Sequence, residues 1–337
     1  MFLRYSKKLD VIALMICFLC TFADAMKKKI SLLIPVYNES GNLPCLKAAL
    51  DGLADSLGQY NWEFLFVNDG SSDDSLSVLR DMRSRDARVS VVNLSRNFGK
   101  ENALLAGMDY AAGDAVVIMD ADMQHPVEAI PEMLAWWEQG YEDVYGRRRS
   151  RGRESWLRKR LSLAYYSMLQ GTTRIEVLQN VGDFRLLDRR VVRAICSLRE
   201  TQRYTKGLYC WVGYNKKEVL FDQADRVEGK SSFNLRSLLN LAIEGITCYT
   251  TAPLRIASVA GLLVSLCAFI YLIFVIFKTL IYGESVQGFP TLLCVILLLG
   301  GLQLMAIGII GEYIGRIFSE TKQRPPYIVE SYNEEKL

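Results

Sequence analysis

The stretch that decides the fold is AVVIMDADMQ, residues 115–124. Its first five residues are apolar and lie between turn-forming residues, a pattern typical of a buried strand in a parallel sheet. Asp120, Asp122 and Gln124 follow at the carboxyl end of that strand, where open α/β sheets bind ligands. Because residues two apart face the same side of an extended segment, we expect these three side chains to converge.

Three oxygen donors at one point suit Mg²⁺ or Mn²⁺, which usually share their coordination with a substrate phosphate. We therefore predict a metal site formed by Asp120, Asp122 and Gln124. The alternative is a solvated acidic strand end, and this stretch alone does not decide between the two.

The chain around this stretch alternates strand and helix patterns from Ile30 onward. Strands are predicted at 30–36, 62–68, 89–94 and 115–119, and helices at 43–57, 74–85 and 100–111. Such alternation implies right-handed crossovers and a parallel sheet with helices on both faces. The sequence has neither a G-x-G-x-x-G fingerprint nor a Walker A lysine, so it does not support a dinucleotide-binding or P-loop protein.

Polar residues follow each predicted strand and are expected on one rim of the sheet. The carboxylates of Glu39 and Asp69 can accept hydrogen bonds from a base or from ribose hydroxyls, and the ring of Tyr37 offers a stacking surface. Each polar stretch alone is equally typical of ordinary turns and helix caps. Their recurrence after all four strands favours a nucleotide site.

Composition narrows the chemistry further. The chain has 337 residues, half of them hydrophobic, and a net charge of +3. Its eight cysteines show no metal-ligand spacing beyond one isolated C-x-x-C at Cys17 and Cys20. The single histidine, His125, would have to serve any His-based zinc site or Ser-His-Asp triad, and the sequence has no G-x-S-x-G elbow.

Four segments carry a resemblance to a known family: PVYNE at 35–39, VNDGSSD at 67–73, NFGK at 97–100 and DADMQ at 120–124. In this order they resemble family 2 glycosyltransferases of the GT-A fold. Within that family they are similar to the polyprenyl-phosphate branch, the dolichyl-phosphate mannose synthases and bacterial bactoprenol glycosyltransferases. The resemblance extends over residues 28–329. It implies an α/β, Rossmann-like GT-A domain followed by an amphipathic interface helix and a two-helix transmembrane hairpin.

The resemblance also implies roles for individual residues. The metal ligands would be Asp120, Asp122 and Gln124, and the catalytic residues would be Asp122 and Asp183. The residues implied to bind the nucleotide sugar are Pro35, Tyr37, Glu39, Val67, Asp69, Asp120, Ala121 and Arg226. We expect Asp183 to orient or deprotonate the acceptor, although a phosphate with a second pKa of about 6 needs little help from a base. The alternative for Asp183 is a turn residue that satisfies backbone donors.

A basic stretch, residues 147–160, carries Trp and Leu side chains at roughly helical spacing. The simplest interpretation is a basic amphipathic helix at a membrane surface, with a solvated face as the alternative. The apolar stretches downstream argue against a nucleic-acid partner.

In the family this region binds the acceptor phosphate. The residues implied to do so are Arg148, Arg158, Ser162 and Lys230. Arg147 and Arg149 flank Arg148 and leave the register open. Lys230 would replace a family lysine at the position of Ser232, and Arg226 on the same loop would reach the donor diphosphate as the loop closes.

Two apolar stretches of bilayer length, Ile256–Phe277 and Thr291–Ile310, are joined by a short link and predict a transmembrane hairpin. Basic residues flank its outer ends, which by the positive-inside rule places the catalytic domain in the cytoplasm. The predicted organisation is an extension at 1–25, a GT-A catalytic domain at 26–233, a juxtamembrane amphipathic helix at 234–252, the hairpin at 253–314 and a cytoplasmic tail at 315–337.

Residues 1–25 have the outline of a signal peptide, with basic residues, an apolar run and an A-x-A site. An extra membrane segment is a second interpretation. A native start at Met26 is the third, and we favour it because the basic residues after Met26 lead directly into the first strand.

The expected activity is the metal-dependent, inverting transfer of one sugar onto undecaprenyl phosphate at the cytoplasmic face of the bacterial inner membrane. Subgroup resemblance favours glucose from UDP-glucose, with UDP-aminoarabinose and GDP-mannose as the rival donors. A processive polysaccharide synthase would need a Q-x-x-R-W element and more spans, and a non-catalytic membrane scaffold or lipid-translocation partner would not need an intact metal motif. A homo-oligomer packed through the spans and a product used in cell envelope polysaccharide are expected from resemblance.

Overall fold

A computed structural model describes residues 27–149, 181–201, 203–222 and 288–336, with single positions between 259 and 281. The chain divides into two units. The first comprises residues 1–155, 178–231 and 325–337, and the second residues 156–177 and 232–324. The predictions that lie outside the described residues concern the extension at 1–25, the helix at 234–252, and Arg158, Ser162, Arg226 and Lys230.

The first unit is built on one sheet, in which the described part of the chain forms nine strands. These are β1 Lys29–Val36, β2 Asn61–Asn68, β3 Val89–Leu94, β4 Ala115–Ile118, β5 Asp143–Arg148, β6 Val181–Asp188, β7 Lys216–Phe221, β8 Val329–Tyr332 and β9 Glu335–Lys336. Their order across the sheet is β7-β5-β6-β4-β1-β2-β3-β8-β9. Strands β4, β1, β2 and β3 run parallel, and β6 and β8 pair antiparallel on either side of them.

Helices cover both faces of this sheet. They are α1 Leu43–Ser56, α2 Ser75–Arg85, α3 Lys100–Tyr110, α4 Ile130–Glu138, α5 Arg189–Ser197 and α6 Thr205–Trp211. Leu43, Leu46 and Leu50 recur at helical spacing and bury one stripe of α1 in the core on one face. Helices α3 and α5 bury their apolar residues in the core on the other face. The prediction of an α/β sheet with helices on both faces is confirmed.

The second unit contains a long helix, α7, Phe289–Thr321. Its stretch Leu298–Thr321 is long and apolar enough to cross a membrane. Helix α7 includes the second predicted span, and it continues beyond the boundary predicted at residue 314. It is the one such helix among the described residues, so the two-helix hairpin stays a prediction.

Residues 325–337 belong to the first unit, and β8 and β9 within them extend its sheet, where the sequence predicted a tail. Strand β8 pairs with β3, and the Ser95 N–H donates to the carbonyl of Ile328 at 3.0 Å. The Tyr327 hydroxyl donates to Asp109 Oδ2 on α3 at 2.5 Å, and Asn93 Nδ2 donates to the Glu330 carboxylate at 2.8 Å. These contacts hold the chain end against β3 and α3, which flank the loop 95–99.

An ion pair buried in the first unit joins β5 to β6. The side chains of Asp143 and Arg185 are each 1% exposed, and Arg185 Nη1 lies 3.0 Å from Asp143 Oδ2. The ring of Tyr209 on α6 covers the guanidinium at 3.7 Å. Because both charges are out of water, removing one partner leaves the other buried and uncompensated.

Arg185→Met tests this pair. Breaking a buried pair on one side destabilises by about 3–5 kcal/mol, so we expect a clearly lower midpoint of thermal unfolding for the detergent-solubilised chain, followed by circular dichroism. The double variant Asp143→Leu/Arg185→Met removes both charges and is expected to recover most of the loss. An Arg185→Met protein as stable as the parent would contradict the role given to this pair.

A chain that ends at Arg324 tests the role of β8. The truncation exposes the edge of β3 and removes the hydroxyl that Tyr327 donates to Asp109, so the midpoint of thermal unfolding should fall. A chain that ends at Glu334 keeps β8, loses the two exposed residues of β9 together with Leu337, and serves as the matched control. Equal midpoints for the two truncations would show that β8 does not stabilise the sheet.

Candidate active site

A cavity of about 290 Å³ opens at the carboxyl edge of the parallel strands. Small-molecule sites usually measure about 300–1,000 Å³, so it has room for part of a nucleotide-sized ligand. It is lined by Pro35, Val36, Tyr37, Glu39, Asp69, Asn97, Gly99, Lys100, Ala103, Asp120, Ala121 and Asp122. The structure therefore brings the segments after β1, β2, β3 and β4 to one place, while the ligand roles of individual residues stay predictions.

Among the described residues predicted to bind the nucleotide sugar or the metal, two do not line this cavity. Val67 is fully buried in the apolar core beneath α3 and α5, so its side chain cannot reach a ligand there. Gln124 is absent from the cavity wall, and its backbone N–H donates to Asp122 Oδ1 at 3.1 Å. Its role as a metal ligand stays a prediction.

The turn after β4 differs from the extended segment that the sequence suggested. Strand β4 ends at Ile118, residues 121–123 form a turn, and Met123 has a φ of 60°. A left-handed residue interrupts the alternation of side chains, so the geometric reason for convergence at residues 120, 122 and 124 was wrong. Asp120 and Asp122 nevertheless both line the cavity.

Hydrogen bonds between two loops hold the rim around this cavity. Asn38 adopts a φ of 57°, accepts from the Ser72 N–H at 2.8 Å and donates its own N–H to Ser71 Oγ at 3.0 Å. Ser75 Oγ accepts from the Glu39 N–H at 2.9 Å. These serines therefore join the β1–α1 loop to the β2–α2 loop and fix Glu39 at the cavity.

Asp69 holds the loop between β3 and α3. Its Oδ1 accepts from the Phe98 N–H at 2.7 Å and its Oδ2 from the Gly99 N–H at 3.0 Å. Burial raises the pKa of Asp69, and the two N–H bonds oppose that effect. Each oxygen retains a further lone pair, so the carboxylate can also accept from a ligand in the cavity.

His125 supports the turn that carries Asp120. Its Nδ1 accepts from the Asp120 N–H at 3.0 Å, and its ring stacks on Phe184 with the centroids 4.9 Å apart. Burial lowers the pKa of His125, and the positive charges of Lys100 and Arg148 act in the same direction. A neutral ring with its proton on Nε2 fits this bond, so the single histidine has a structural role here.

Lys100, to which the sequence assigned no role, joins two of the predicted site carboxylates. Its Nζ lies 2.6 Å from Asp120 Oδ1 and 2.9 Å from Asp183 Oδ2. The register of the antiparallel pair explains why, since Ile118 of β4 lies opposite Arg185 of β6. Two residues further along, that register places Asp120 opposite Asp183. The ammonium offsets the repulsion between these two neighbouring carboxylates.

The surroundings of Asp183 keep it ionised. Burial alone would raise its pKa, but the ammonium groups of Lys100 and Lys206 and the guanidinium of Arg185 lower the pKa of Asp183 overall. Its Oδ1 is buried and has no hydrogen-bond partner in the described part of the chain. Asp183 does not line the cavity, so its action on an acceptor stays a prediction.

Asp120 and Asp122 fit a hard divalent cation as a two-carboxylate site. Mg²⁺ is commonly held by one or two carboxylates together with substrate phosphates and water. Where the structure describes the chain, no group of three or more His, Cys, Asp or Glu side chains is arranged to hold a metal. A cation would therefore take its other oxygens from a bound diphosphate and water.

The three arginines at and just after the end of β5 alternate in exposure: Arg147 and Arg149 are exposed, and Arg148 is half-buried. Arg147 and Arg149 form exposed ion pairs with Glu218 and Asp222 at 2.9 and 3.3 Å. Arg148 lies between them in the sequence, and its charge acts on His125 beneath the turn of Asp120. This alternation favours Arg148, rather than Arg147 or Arg149, as the arginine predicted to bind the acceptor phosphate.

His125→Phe tests the support of the turn. The variant keeps an aromatic ring against Phe184 but leaves the Asp120 N–H without its acceptor, a loss of about 1–3 kcal/mol for a buried group. We expect a lower midpoint of thermal unfolding and weaker binding of a nucleoside diphosphate with Mg²⁺, measured by calorimetry. Phe184→Leu alters the ring stack but keeps the acceptor, so its nucleotide affinity should stay near that of the parent. Unchanged nucleotide affinity in His125→Phe would contradict this role.

Known families match both units of the chain. The family described as Glycosyl transferase family 2 matches residues 31–196, and the family described as GtrB C-terminal hairpin matches residues 252–317. The first match includes every residue that lines the cavity. The second includes most of α7.

Curated relatives extend over nearly the whole chain. An uncharacterized glycosyltransferase of Synechocystis sp. is 44% identical over 304 residues, which cover 90% of this chain and 95% of the relative. The bactoprenol glucosyl transferase of Shigella phage SfV is 41% identical over 303 residues, which cover 90% of this chain and 98% of the relative. Among solved structures, S. aureus TarS 1–349 in complex with UDP-GlcNAc is 17% identical, with a TM-score of 0.45 over 64% of this chain and 66% of that one.

Proposed function

The chain belongs to glycosyltransferase family 2 and is a glycosyltransferase, and from this premise we propose that it transfers glucose from UDP-glucose to undecaprenyl phosphate. Relatives that are 41–42% identical over at least 97% of their own length are named bactoprenol glucosyl transferases. The observation that carries the proposal is that residues from all four segments that resemble the family line one cavity.

The donor nucleotide would bind at the rim formed by β1, β2 and β4. The side chain of Tyr37 is half exposed at the cavity and offers a ring on which the base can stack. Glu39 and Asp69 would accept hydrogen bonds from the base or the ribose, and Asp120 and Asp122 would hold Mg²⁺ or Mn²⁺. When bound, the cation supplies charge neutralisation for the departing diphosphate. Pro35, Ala121 and Arg226 are proposed as further donor contacts.

The proposed reaction is one inverting displacement. A phosphate oxygen of the acceptor forms a bond to the anomeric carbon from the face opposite UDP. At the same time the bond from that carbon to the UDP β-phosphate oxygen breaks, and UDP leaves with the electron pair. A phosphate monoester is mostly dianionic near neutrality, with a second pKa of about 6, so no proton has to be removed. Catalysis then depends on positioning and on charge stabilisation.

The acceptor side of the proposal involves the membrane. Arg148, Arg158, Ser162 and Lys230 are proposed to bind the acceptor phosphate, since a lipid phosphate needs fixed positive charge and hydrogen-bond donors. Helix α7 is proposed as one half of a transmembrane hairpin in the bacterial inner membrane, with the catalytic unit in the cytoplasm. A homo-oligomer packed through the hairpins, and use of the product in cell envelope polysaccharide, are further parts of this proposal.

A transfer assay tests the proposed function. The full chain in detergent is given undecaprenyl phosphate, Mg²⁺ or Mn²⁺ and, in separate reactions, UDP-glucose, UDP-aminoarabinose or GDP-mannose, and the glycolipid is measured by mass spectrometry. We expect product from UDP-glucose that disappears when the metal is chelated. Asp122→Asn should lower the rate by about 100-fold, because charge stabilisation of the leaving group is lost.

Asp81→Asn provides the matched control for this assay. Asp81 is an exposed acid on α2 that pairs with Arg85 four residues on, so the variant should keep the parent rate. If glycolipid forms only from another donor, the proposed reaction type is supported and glucose as the transferred sugar is contradicted. A folded chain that makes no glycolipid from any of these donors would contradict the proposed function and favour a non-catalytic scaffold.

A further inference from the structure

We infer that Asp183 is a positioning residue that acts through Lys100: it holds the Lys100 ammonium in the cavity, where that ammonium binds the donor diphosphate. This inference deepens the proposed function and rests on it for the identity of the ligand. It gives Asp183 a role on the donor side in place of the predicted action on the acceptor.

Accessibility separates the two residues. The Asp183 side chain is 9% exposed and does not line the cavity, whereas the Lys100 side chain is 42% exposed and does line it. Of the pair, Lys100 is therefore the residue that a ligand in the cavity can touch. Asp183 can influence that ligand by fixing the ammonium 2.9 Å from its own Oδ2.

The charges around the cavity give Lys100 its importance. The acidic side chains in the wall are Glu39, Asp69, Asp120 and Asp122. Among the described residues that line the cavity, Lys100 is the one basic side chain. A diphosphate approaching four carboxylates is repelled unless cations are present, so a fixed ammonium at this place contributes directly to donor binding.

The hydrogen-bonding capacity of Lys100 matches this role. An ammonium has three donors, of which one reaches Asp183 and one reaches Asp120. Asp120 can coordinate a divalent cation through lone pairs that the bond from Lys100 leaves free. The third donor of the ammonium is then available to a diphosphate oxygen while the bond to Asp183 is kept.

Asp183 is needed in this arrangement because a lysine side chain is flexible. Its four-carbon stem has several rotatable bonds, and an unanchored ammonium spends little time in any one position. The buried carboxylate of Asp183, fixed on β6, holds the ammonium beside Asp120 in the turn after β4. Removing either member should therefore remove the same contact to the diphosphate.

The test is a double-variant cycle read by calorimetric titration with UDP and Mg²⁺. Lys100→Met and Asp183→Asn should each weaken UDP binding by about tenfold, the size expected for one charge-assisted hydrogen bond. The double variant should bind UDP no more weakly than Lys100→Met, because both changes remove one shared contact. Lys100→Arg keeps the charge and should retain most of the affinity, and Asp81→Asn is the control for an unrelated acid. Circular dichroism verifies that each variant is folded.

Three outcomes would overturn the inference. If Asp183→Asn binds UDP with the affinity of the parent but loses transfer activity, Asp183 acts on the acceptor and not through Lys100. Losses that multiply in the double variant would show that the two residues act independently. If Lys100→Arg binds UDP as weakly as Lys100→Met, the positive charge at this position does not determine the affinity. This comparison does not depend on the folding of any Asp183 variant.

Different results would contradict the proposed function and this inference. A parent chain that binds UDP but makes no glycolipid from UDP-glucose would contradict the proposed transfer, while the binding cycle could still support the Lys100–Asp183 unit. A parent chain that binds GDP and not UDP would contradict the proposed donor. The same cycle read with GDP would then decide the inference.

Discussion

The Lys100 ammonium between the carboxylates of Asp120 and Asp183 is the contact on which the site depends. It joins three elements that are far apart in the chain: the start of α3, the turn after β4 and the beginning of β6. The antiparallel pairing of β6 with β4 forces the two carboxylates to be neighbours, and without a cation between them they would repel each other. The loop that delivers Lys100 is held in turn by Asp69, which accepts from Phe98 and Gly99.

Local pattern predicts much of this fold. Strands buried on both faces are continuous apolar runs, so the strand predicted at 62–68 matches β2, Asn61–Asn68, within one residue. The rim was predictable too, because parallel strands all end at one edge. The antiparallel placement of β6 and β8 was not predictable, since it depends on contacts between distant segments. Residues 329–332 therefore read as a tail although they form β8.

The same limit explains what the sequence left out of the site. Lys100 stood in a recognised segment, NFGK, but its partners become visible only when the register brings Asp120 and Asp183 together. Nothing in the sequence predicts the positive φ of Met123, because residues other than glycine rarely adopt it. In both cases tertiary structure, and not local preference, decided where the side chains lie. The family relationship adds a reaction class, glycosyl transfer, to this geometry.

The most direct measurement is an experimental structure of the chain with UDP and Mn²⁺. The account predicts that Lys100 Nζ lies about 3 Å from a diphosphate oxygen and keeps its bond to Asp183. A Lys100 ammonium that does not contact the diphosphate, or an Asp183 that has turned from Lys100 into the cavity, would contradict it.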